Sequence, residues 1–459
     1  MDSLVVRVND DILNIDEKFH LDDSIVSLQY RRVPSDIQHE FNTNGTVIPI
    51  TLNGDNTYTL PCKSKLVIKG QIRRADNNAA FAAEDEITLI NNAMMYLFSG
   101  MEYSLNDTSI ERVAPCLGQV STMMSYLSQP DDFNSSEGLR YCCCKDTSVN
   151  ASSIEFEESG NNAPAAHYRP TKNQEYNSGF ATRKRFLFSS DPRGSFSFSI
   201  PLSNIFGFAE YKKVIFGMKH SLKLTRCGDN DALYHAAGVP DGKVDITDIS
   251  WYMPIVKPSP EYIVGLRSLI EERKSLPLMF RARTPNTTPV SQNRLFNWRI
   301  GVKGGAEKPR WIIIGFQTAK SLNQTANPAL FDHCNVRKAS ITLNNTNSYP
   351  SIELPSNFAS NNYDMFYDML VDFKKEYYGI DSLVGGSQVN FPTFKALFPI
   401  FVFDVRKQDD QLKNGVMDIV SYFEFDDNVP ANTIAICLVI SDRMYNLSSD
   451  GQNMGVISL

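Results

Sequence analysis

Apolar side chains recur at every second position through residues 214–225. Val214, Phe216, Met218, His220, Leu222 and Leu224 fall on one face of an extended chain, and Ile215, Gly217, Lys219, Ser221, Lys223 and Thr225 fall on the other. Side chains alternate across a strand, so this period of two specifies a half-buried strand. The same pattern recurs in residues 46–52, 64–72, 86–90, 185–189, 195–200 and 244–253, and again in 338–343, 396–404, 417–425 and 433–442. Clusters of Gly, Asn, Asp and Pro separate these runs, and such spacing predicts an all-β protein. Residues 295–318 read as two strands around the Gly304–Gly305 turn, with Phe296, Trp298, Ile300 and Val302 on one face and Asn297, Arg299 and Lys303 on the other.

Only two stretches carry helical spacing. After the proline-marked break at 253–262, Ser259 and Pro260 suit an N-cap and first helical position, and Ile263, Leu266, Leu269 and Ile270 follow at helical intervals. In residues 362–379, Phe366, Met369, Leu370, Phe373 and Tyr377 form an apolar stripe, and Gly379 stands where a C-cap glycine belongs. Residues 129–180, rich in Ser, Asn, Pro and Gly, read as a long exposed loop. The organisation expected is an N-terminal arm (1–40), a first β unit (41–256), a linker helix (257–277) and a second β unit (278–459). No residue-level repeat relates the two halves.

Among 459 residues, 42% are hydrophobic and the net charge is −7, the profile of a folded protein and not of one coating nucleic acid through a basic surface. The opening MDSLVVRVNDD lacks the cationic start and apolar core of a signal peptide. Apolar runs such as 311–316 and 398–403 fall well short of the roughly 18 residues a membrane helix needs. The expectation is a protein kept in the cytosol or nucleus, with no membrane-spanning segment. Its eight cysteines then read as free thiols, and sequons such as Asn44, Asn106, Asn134, Asn286 and Asn446 as a by-product of polar loops.

Each candidate for chemistry has a plainer reading. The glycines and lysines of 200–226 suggest a phosphate cradle, but that loop needs Gly-x-x-x-x-Gly-Lys-Ser/Thr, which the chain lacks. Gly207 and Gly217 read as points of close approach or bending, and Lys219 and Lys223 as a solvated or inter-subunit face. His220 on an apolar face reads as a hydrogen-bonded core residue. His333 and Cys334 have no second Cys/His pair to complete a zinc site. Cys142, Cys143 and Cys144 alternate in direction along extended chain and read as a redox-labile surface loop. Asp241–Gly242 resembles a fragment of a calcium loop, yet Ala237, Val239 and Asp248 occupy positions where that loop needs other ligands, so it reads as a turn feeding a strand. No Gly-x-Ser-x-Gly elbow occurs. The acidic start (Asp2, Asp10, Asp11, Asp16, Glu17, Asp22 and Asp23 against Arg7 and Lys18) reads as a solvated arm. No catalytic, cofactor-binding or metal residue is assigned.

Six segments in order carry a likeness to a known family: PLSNIFGFAEYKKVIFGMKHSLKLTR (201–226), ISWYMPIVKPS (249–259), FNWRIGVKGGAEKPRWIIIGFQT (296–318), NPALFDHCN (327–335), FPIFVFDVRKQ (398–408) and VPANTIAICLVISDR (429–443). Together they resemble the major capsid proteins of Polinton/Maverick-type elements and the related adintoviruses. The likeness covers roughly residues 195–455, is thinner over 1–115 and has no match in 117–180. It implies a double jelly roll: two tandem eight-stranded sandwiches with a few short helices in the connections, one in each β unit. It also implies a structural subunit that trimerises into pseudo-hexameric capsomers and self-assembles into an icosahedral shell around double-stranded DNA. Implied partners are further copies of the chain and the penton and minor capsid proteins, with weak or no direct DNA contact. The implied location is the virion capsid and, before assembly, the host cytoplasm or nucleus, without secretion. The family has no motif-defined site residues or cofactors to carry over.

Two other readings compete. A jelly-roll receptor- or glycan-binding module would form trimers that never tile. A cupin-like metal enzyme would need clustered histidines, whereas His20, His39, His167, His220, His235 and His333 are scattered.

Overall fold

Alternation in the sequence becomes pleat in the structure. The strand Val47–Leu52 buries Ile48, Ile50 and Leu52 while Val47 faces outward. The strand Ile419–Phe425 buries every second residue from Ile419 to Phe425. The computed structural model describes residues 24–157, 171–189, 191–301, 308–344, 347–351, 355–380, 386–407, 417–449 and 454–458. The acidic residues of the arm, His20, His167 and the Gly304–Gly305 turn lie outside the described residues.

The first half begins with β1 (Ile25–Pro34), β2 (Val47–Leu52), β3 (Tyr58–Thr59), β4 (Lys65–Arg74) and β5 (Ile87–Leu89). It continues with β6 (Phe98–Leu105), β7 (Thr108–Val113), β8 (Phe156–Glu157), β9 (Thr171–Lys172) and β10 (Ser195–Pro201). β11 (Ile215–Phe216), β12 (His220–Arg226), β13 (Leu233–His235) and β14 (Gly242–Pro258) complete it. Its helices are α1 (Ala93–Tyr96), α2 (Leu117–Ser128) and α3 (Ser178–Phe188), and α4 (Pro260–Glu271) leads into the second half. There follow β15 (Leu276–Pro289), β16 (Leu295–Ile300), β17 (Lys308–Thr318), β18 (Val336–Leu343) and β19 (Asn347–Tyr349). The chain ends with α5 (Asp364–Tyr378), α6 (Phe391–Ala396), β20 (Ile400–Asp404), β21 (Ile419–Phe425), β22 (Thr433–Ser449) and β23 (Met454–Ser458).

Four sheets make two sandwiches. In the first half, β10-β4-β14-β3-β11, with β1 on β14, faces β2-β12-β6-β7. In the second, β15-β22-β17-β20, with β23 on β22, faces β16-β21-β18-β19. Among the described residues, no sheet mixes strands from before and after α4. The Phe316 ring on β17 meets Phe423 and Phe425 of β21 at 5.0 and 5.6 Å, which places the second core between its two sheets. Fully burying such a side chain contributes roughly 1.5–3 kcal/mol. β17 and β20 are buried almost without alternation because helices cover their other face. From α5, Phe366 stands 5.0 Å from Phe401 and Phe373 stands 5.6 Å from Trp311. From the first half, Tyr126 of α2 packs 4.3 Å from Phe398. The buried apolar side chains accordingly form one large cluster that runs through both sandwiches, with a small satellite of Tyr58, Leu60 and Val256 beside it.

Four expectations differ from this structure. Residues 185–188 lie in the last turn of α3, not in a strand, and Ser189 caps its end; Asn177 caps the start of that helix by accepting from the Phe180 N–H, and the consecutive Phe186, Leu187 and Phe188 spread around the turn, with Leu187 buried and Phe186 exposed. The alternation at 214–225 spans two strands in facing sheets: β11 pairs with β3, β12 pairs with β2 and β6, and the chain crosses at Gly217, whose φ is +64°. β16 and β17 do not form a hairpin, because β16 pairs with β21 and β17 with β20 and β22 in the opposite sheet. The polar segment 129–157 is not simply exposed. It holds two single-turn helices, at Asp131–Asn134 and Gly138–Tyr141, and its polar groups point inward, as Asn177 shows by bonding Asp146 Oδ1 and the Ser148 and Asn150 carbonyls.

Candidate functional site

The structure scatters the residues singled out in the sequence. His220 is fully buried between the two sheets of the first sandwich. Its Nε2 lies 2.9 Å from Thr59 Oγ1 and its Nδ1 lies 2.7 Å from the Tyr103 hydroxyl. Thr59 donates its own proton to the Ile215 carbonyl, so it accepts from Nε2–H, and Tyr103 donates to Nδ1. Every polar atom is satisfied with the ring neutral. Burial holds its pKa down at about 3.

Cys142, Cys143 and Cys144 are all buried, which corrects the reading of a redox-labile surface loop. Burial pushes the Cys142 thiol up to about 12, with Arg183 opposing, and inert protonated thiols are the consequence. Their backbone serves as an acceptor instead: Arg183 bonds the Cys144 carbonyl, the Leu89 carbonyl at 2.7 Å and Asp146 at 2.6 Å, both charges being buried. His333 stacks on Phe358 at 4.5 Å and accepts from the Asn335 N–H. Asp241 turns the chain into β14 and contacts His235 at 3.1 Å, while Asp248 pairs with Arg32. Among the described residues, no group of three or more His, Cys, Asp or Glu side chains is placed to hold a metal.

What the structure does bring together is the seam between the sandwiches. Two sheet edges meet there, β7 and β15, and they do not pair. One carboxylate bridges them. Glu111 of β7 accepts from the N–H groups of Gly207 at 3.2 Å, Phe208 at 2.8 Å and Arg283 of β15 at 2.7 Å. Burial pushes its carboxyl up, opposed by the Phe208 N–H and by Arg283 and Arg443. Gly207 approaches so closely that a Cβ there would sit 1.7 Å from the Arg281 carbonyl oxygen. Further along, Arg443 donates to the Ile110 carbonyl at 2.8 Å and Asn106 to the Met454 carbonyl at 2.6 Å.

The segment after β17 reaches back into the first half. Gln324 accepts from Gly242 N–H and donates to the Gly242 carbonyl, both at 2.8 Å. Asn327 donates to Asp146 at 2.9 Å, and Tyr96 donates to the Pro328 carbonyl at 2.9 Å. Glu111, Asp146, Arg183 and Arg283 went unrecognised in the sequence. Charged residues inside apolar runs, such as Arg283 after Phe280 and Ala282, were the available signal.

A cavity of about 780 Å³ opens at the seam, lined on one side by Leu60, Met124 and Ser203 and on the other by Arg283, Tyr377 and Tyr378. On the outside, β1 is an edge strand paired only with β14 among the described residues. Ile25, Val26 and Tyr30 stand exposed on it, and α4, hydrogen-bonded to its start through the Ser259 N–H and the Ser24 carbonyl, exposes Tyr262 and Val264 at 54% and 69%.

Comparison with known proteins finds the same architecture. The model of the double jelly roll-like domain matches residues 169–445. A chain of the Sputnik virophage structure determined by cryo-EM superposes with a TM-score of 0.58 at 11% identity, covering 97% of this chain and 91% of that one. The Faustovirus major capsid protein superposes with a TM-score of 0.53 at 9% identity, over 93% and 92% of the two chains. No curated protein sequence matches. At these identities the likeness is one of fold.

Proposed function

The chain belongs to the double jelly roll-like domain family, and on that footing we propose that it is a major capsid subunit, a structural protein that assembles with its own copies into an icosahedral shell. The observation that carries this reading is the two-sandwich fold over nearly the whole chain, shared with the Faustovirus major capsid protein. In finer detail, the subunit is of the Polinton/Maverick and adintovirus type, forms homotrimeric pseudo-hexamers, and encloses double-stranded DNA with penton and minor capsid proteins at other lattice positions. It resides in the virion, after assembly in the cytoplasm or nucleus. The chain divides into an arm (1–40) whose β1 joins the first jelly roll as an edge strand on β14, a first jelly roll (41–256), the connection that holds α4 (257–277) and a second jelly roll (278–459). The role needs no catalytic residue, cofactor or metal.

Two features of the molecule fit this role. The continuous core and the carboxylate at the seam fix the sandwiches against each other, as a building block under lattice load requires. The exposed apolar residues of β1 and α4 offer a surface that contacts between copies would cover, since apolar area of that kind marks interaction sites on soluble proteins. Light scattering on purified protein tests the first assembly step. The reading expects a trimer mass that persists on dilution; a monomer at all salt concentrations and pH values, with saturable glycan binding, refutes it.

A further inference from the structure

In the sheet formed by β10, β4, β14 and β1, the face turned away from the first core carries a surplus of positive charge. β4 contributes Lys65, Lys69 and Arg73, β14 contributes Lys243, and β1 contributes Arg32. Strand pairing sets them side by side: Arg73 opposes Lys243, and Lys65 and Arg32 flank Tyr252 from the two neighbouring strands. Two carboxylates of β14 share this face, and each is divided between two cations. Asp248 meets Arg32 at 3.0 Å and Lys69 at 3.9 Å, while Asp245 meets Arg73 at 3.6 Å and Lys243 at 3.9 Å. Lys65 has no carboxylate partner among the described residues and lies over the rings of Tyr30 and Tyr252, at 5.2 and 5.8 Å. The five cations therefore outnumber their two carboxylates by three.

The second sandwich carries the converse. On α5, opposite the buried stripe of Phe366, Leu370, Phe373 and Tyr377, the carboxylates Asp364, Asp368, Asp372 and Glu376 stand exposed at intervals of four residues. Residues so spaced are neighbours on a helix, and like charges there work against it. Partial burial pushes the Asp368 carboxyl up, and so do the charges of Asp372 and Asp364. Arg406 pairs with Glu376 at 2.8 Å, and Lys375 is exposed on the same side of the helix. Among the described residues, Asp364, Asp368 and Asp372 form no ion pair, and none joins this row to the cationic face within the subunit.

The two faces match in sign and in spacing. Lys69 and Arg73 lie four residues apart along a strand, about 13 Å. Asp364 and Asp372 lie eight residues apart along a helix, about 12 Å. Asp245 and Asp248 sit among the cations, a pattern that suits a discrete row of carboxylates in one register better than a continuous run of phosphates. Tyr30 joins the cationic face to the exposed Ile25 and Val26 of β1, so the charged and apolar surfaces of this edge are continuous.

We propose that the cationic sheet face of one copy docks on the acidic row of α5 of a second copy, a contact that rests on the self-assembling reading above. Because the two patches differ, each copy offers one to each of two neighbours, and such head-to-tail contacts close into a ring when the rotation allows. A ring of three uses both patches of every copy.

Light scattering of the full chain over a dilution series tests this. The expected result is a trimer whose apparent dissociation constant rises at least about tenfold between about 0.05 and 0.5 M salt. Lys69→Glu/Lys243→Glu should weaken assembly at least about tenfold, Asp368→Lys/Asp372→Lys likewise, and the neutral Lys69→Gln/Lys243→Gln less. Both reversals in one chain should restore assembly to within about threefold of the parent. The α5 reversal relieves like-charge neighbours, so its melting temperature should hold or rise, which separates lost docking from lost folding. Lys223→Glu, exposed on β12 in the opposite sheet, should assemble like the parent. A parent that stays monomeric overturns both this contact and the self-assembling reading. A trimeric parent indifferent to both reversals, or a loss that the combined variant does not rescue, overturns the contact alone. Reversals of the sheet face that spare the trimer but abolish retention on duplex DNA also overturn it, and assign the face to nucleic acid.

Discussion

Acidification should strike this protein at His220. The ring is neutral in the folded state because its two neighbours complete a donor–acceptor chain, Tyr103 to Nδ1 and Nε2 to Thr59, and because burial between two sheets opposes charge. Its folded pKa is about 3 against an ordinary value of 6.5. Between those values the unfolded chain binds a proton that the folded chain refuses, so stability rises with pH through that window and is lost as pH falls from 6.5 toward 3. At pH 7 the linkage costs only a few tenths of a kcal/mol, whereas at pH 4 it amounts to about 3 kcal/mol, a large share of the stability of an ordinary domain. His220→Gln keeps one donor and one acceptor and removes the titration. Urea unfolding of parent and variant at both pH values isolates the effect, because other titrating groups are common to the two proteins. The variant should be less stable at pH 7 by a fixed packing cost, and that gap should shrink by about 3 kcal/mol at pH 4. A gap constant to within about 0.5 kcal/mol would refute the neutral, bridging histidine.

Other perturbations probe the seam and the outer face. Glu111→Ala strands three buried N–H groups, those of Gly207 and Phe208 in the turn before β11 and that of Arg283 on β15, and should cost about 3–5 kcal/mol in denaturant unfolding. Gly207→Ala forces a Cβ onto the Arg281 carbonyl and should cost about 3 kcal/mol or more, read as a lowered melting temperature. Val264→Asp sits on an exposed face of α4, so it should leave the melting temperature of the isolated subunit within about 1 °C while shifting the light-scattering mass from trimer toward monomer.

The strands were the legible part of this sequence. Alternation found β2, β4, β10, β18 and β21 because each has one dry and one wet face, and the α5 stripe of Phe366, Leu370, Phe373 and Tyr377 is buried as spaced. Pairing was not legible. Residues 295–318 look like a hairpin, yet period two says nothing about which sheet a strand joins, and β16 and β17 take opposite sheets. Polar composition misled in residues 129–157, where Asn, Asp and Ser side chains replace backbone partners in the interior, as Asp146 does for Arg183, Asn177 and Asn327. Gly207 and Gly217 were marked as points of approach or bending, and the structure gives the first a carbonyl contact and the second a positive φ at the crossing between sheets. Arg283 and Glu111 stayed hidden because a charge becomes informative only when the partner edge is known, and that edge comes from the other half of the chain.

Electron microscopy of the purified protein, taken through a series of salt and pH conditions, tests the capsid reading most directly. The account predicts trimeric particles that pack into pseudo-hexagonal sheets or closed icosahedral shells. Discrete particles that never tile under any condition would contradict it.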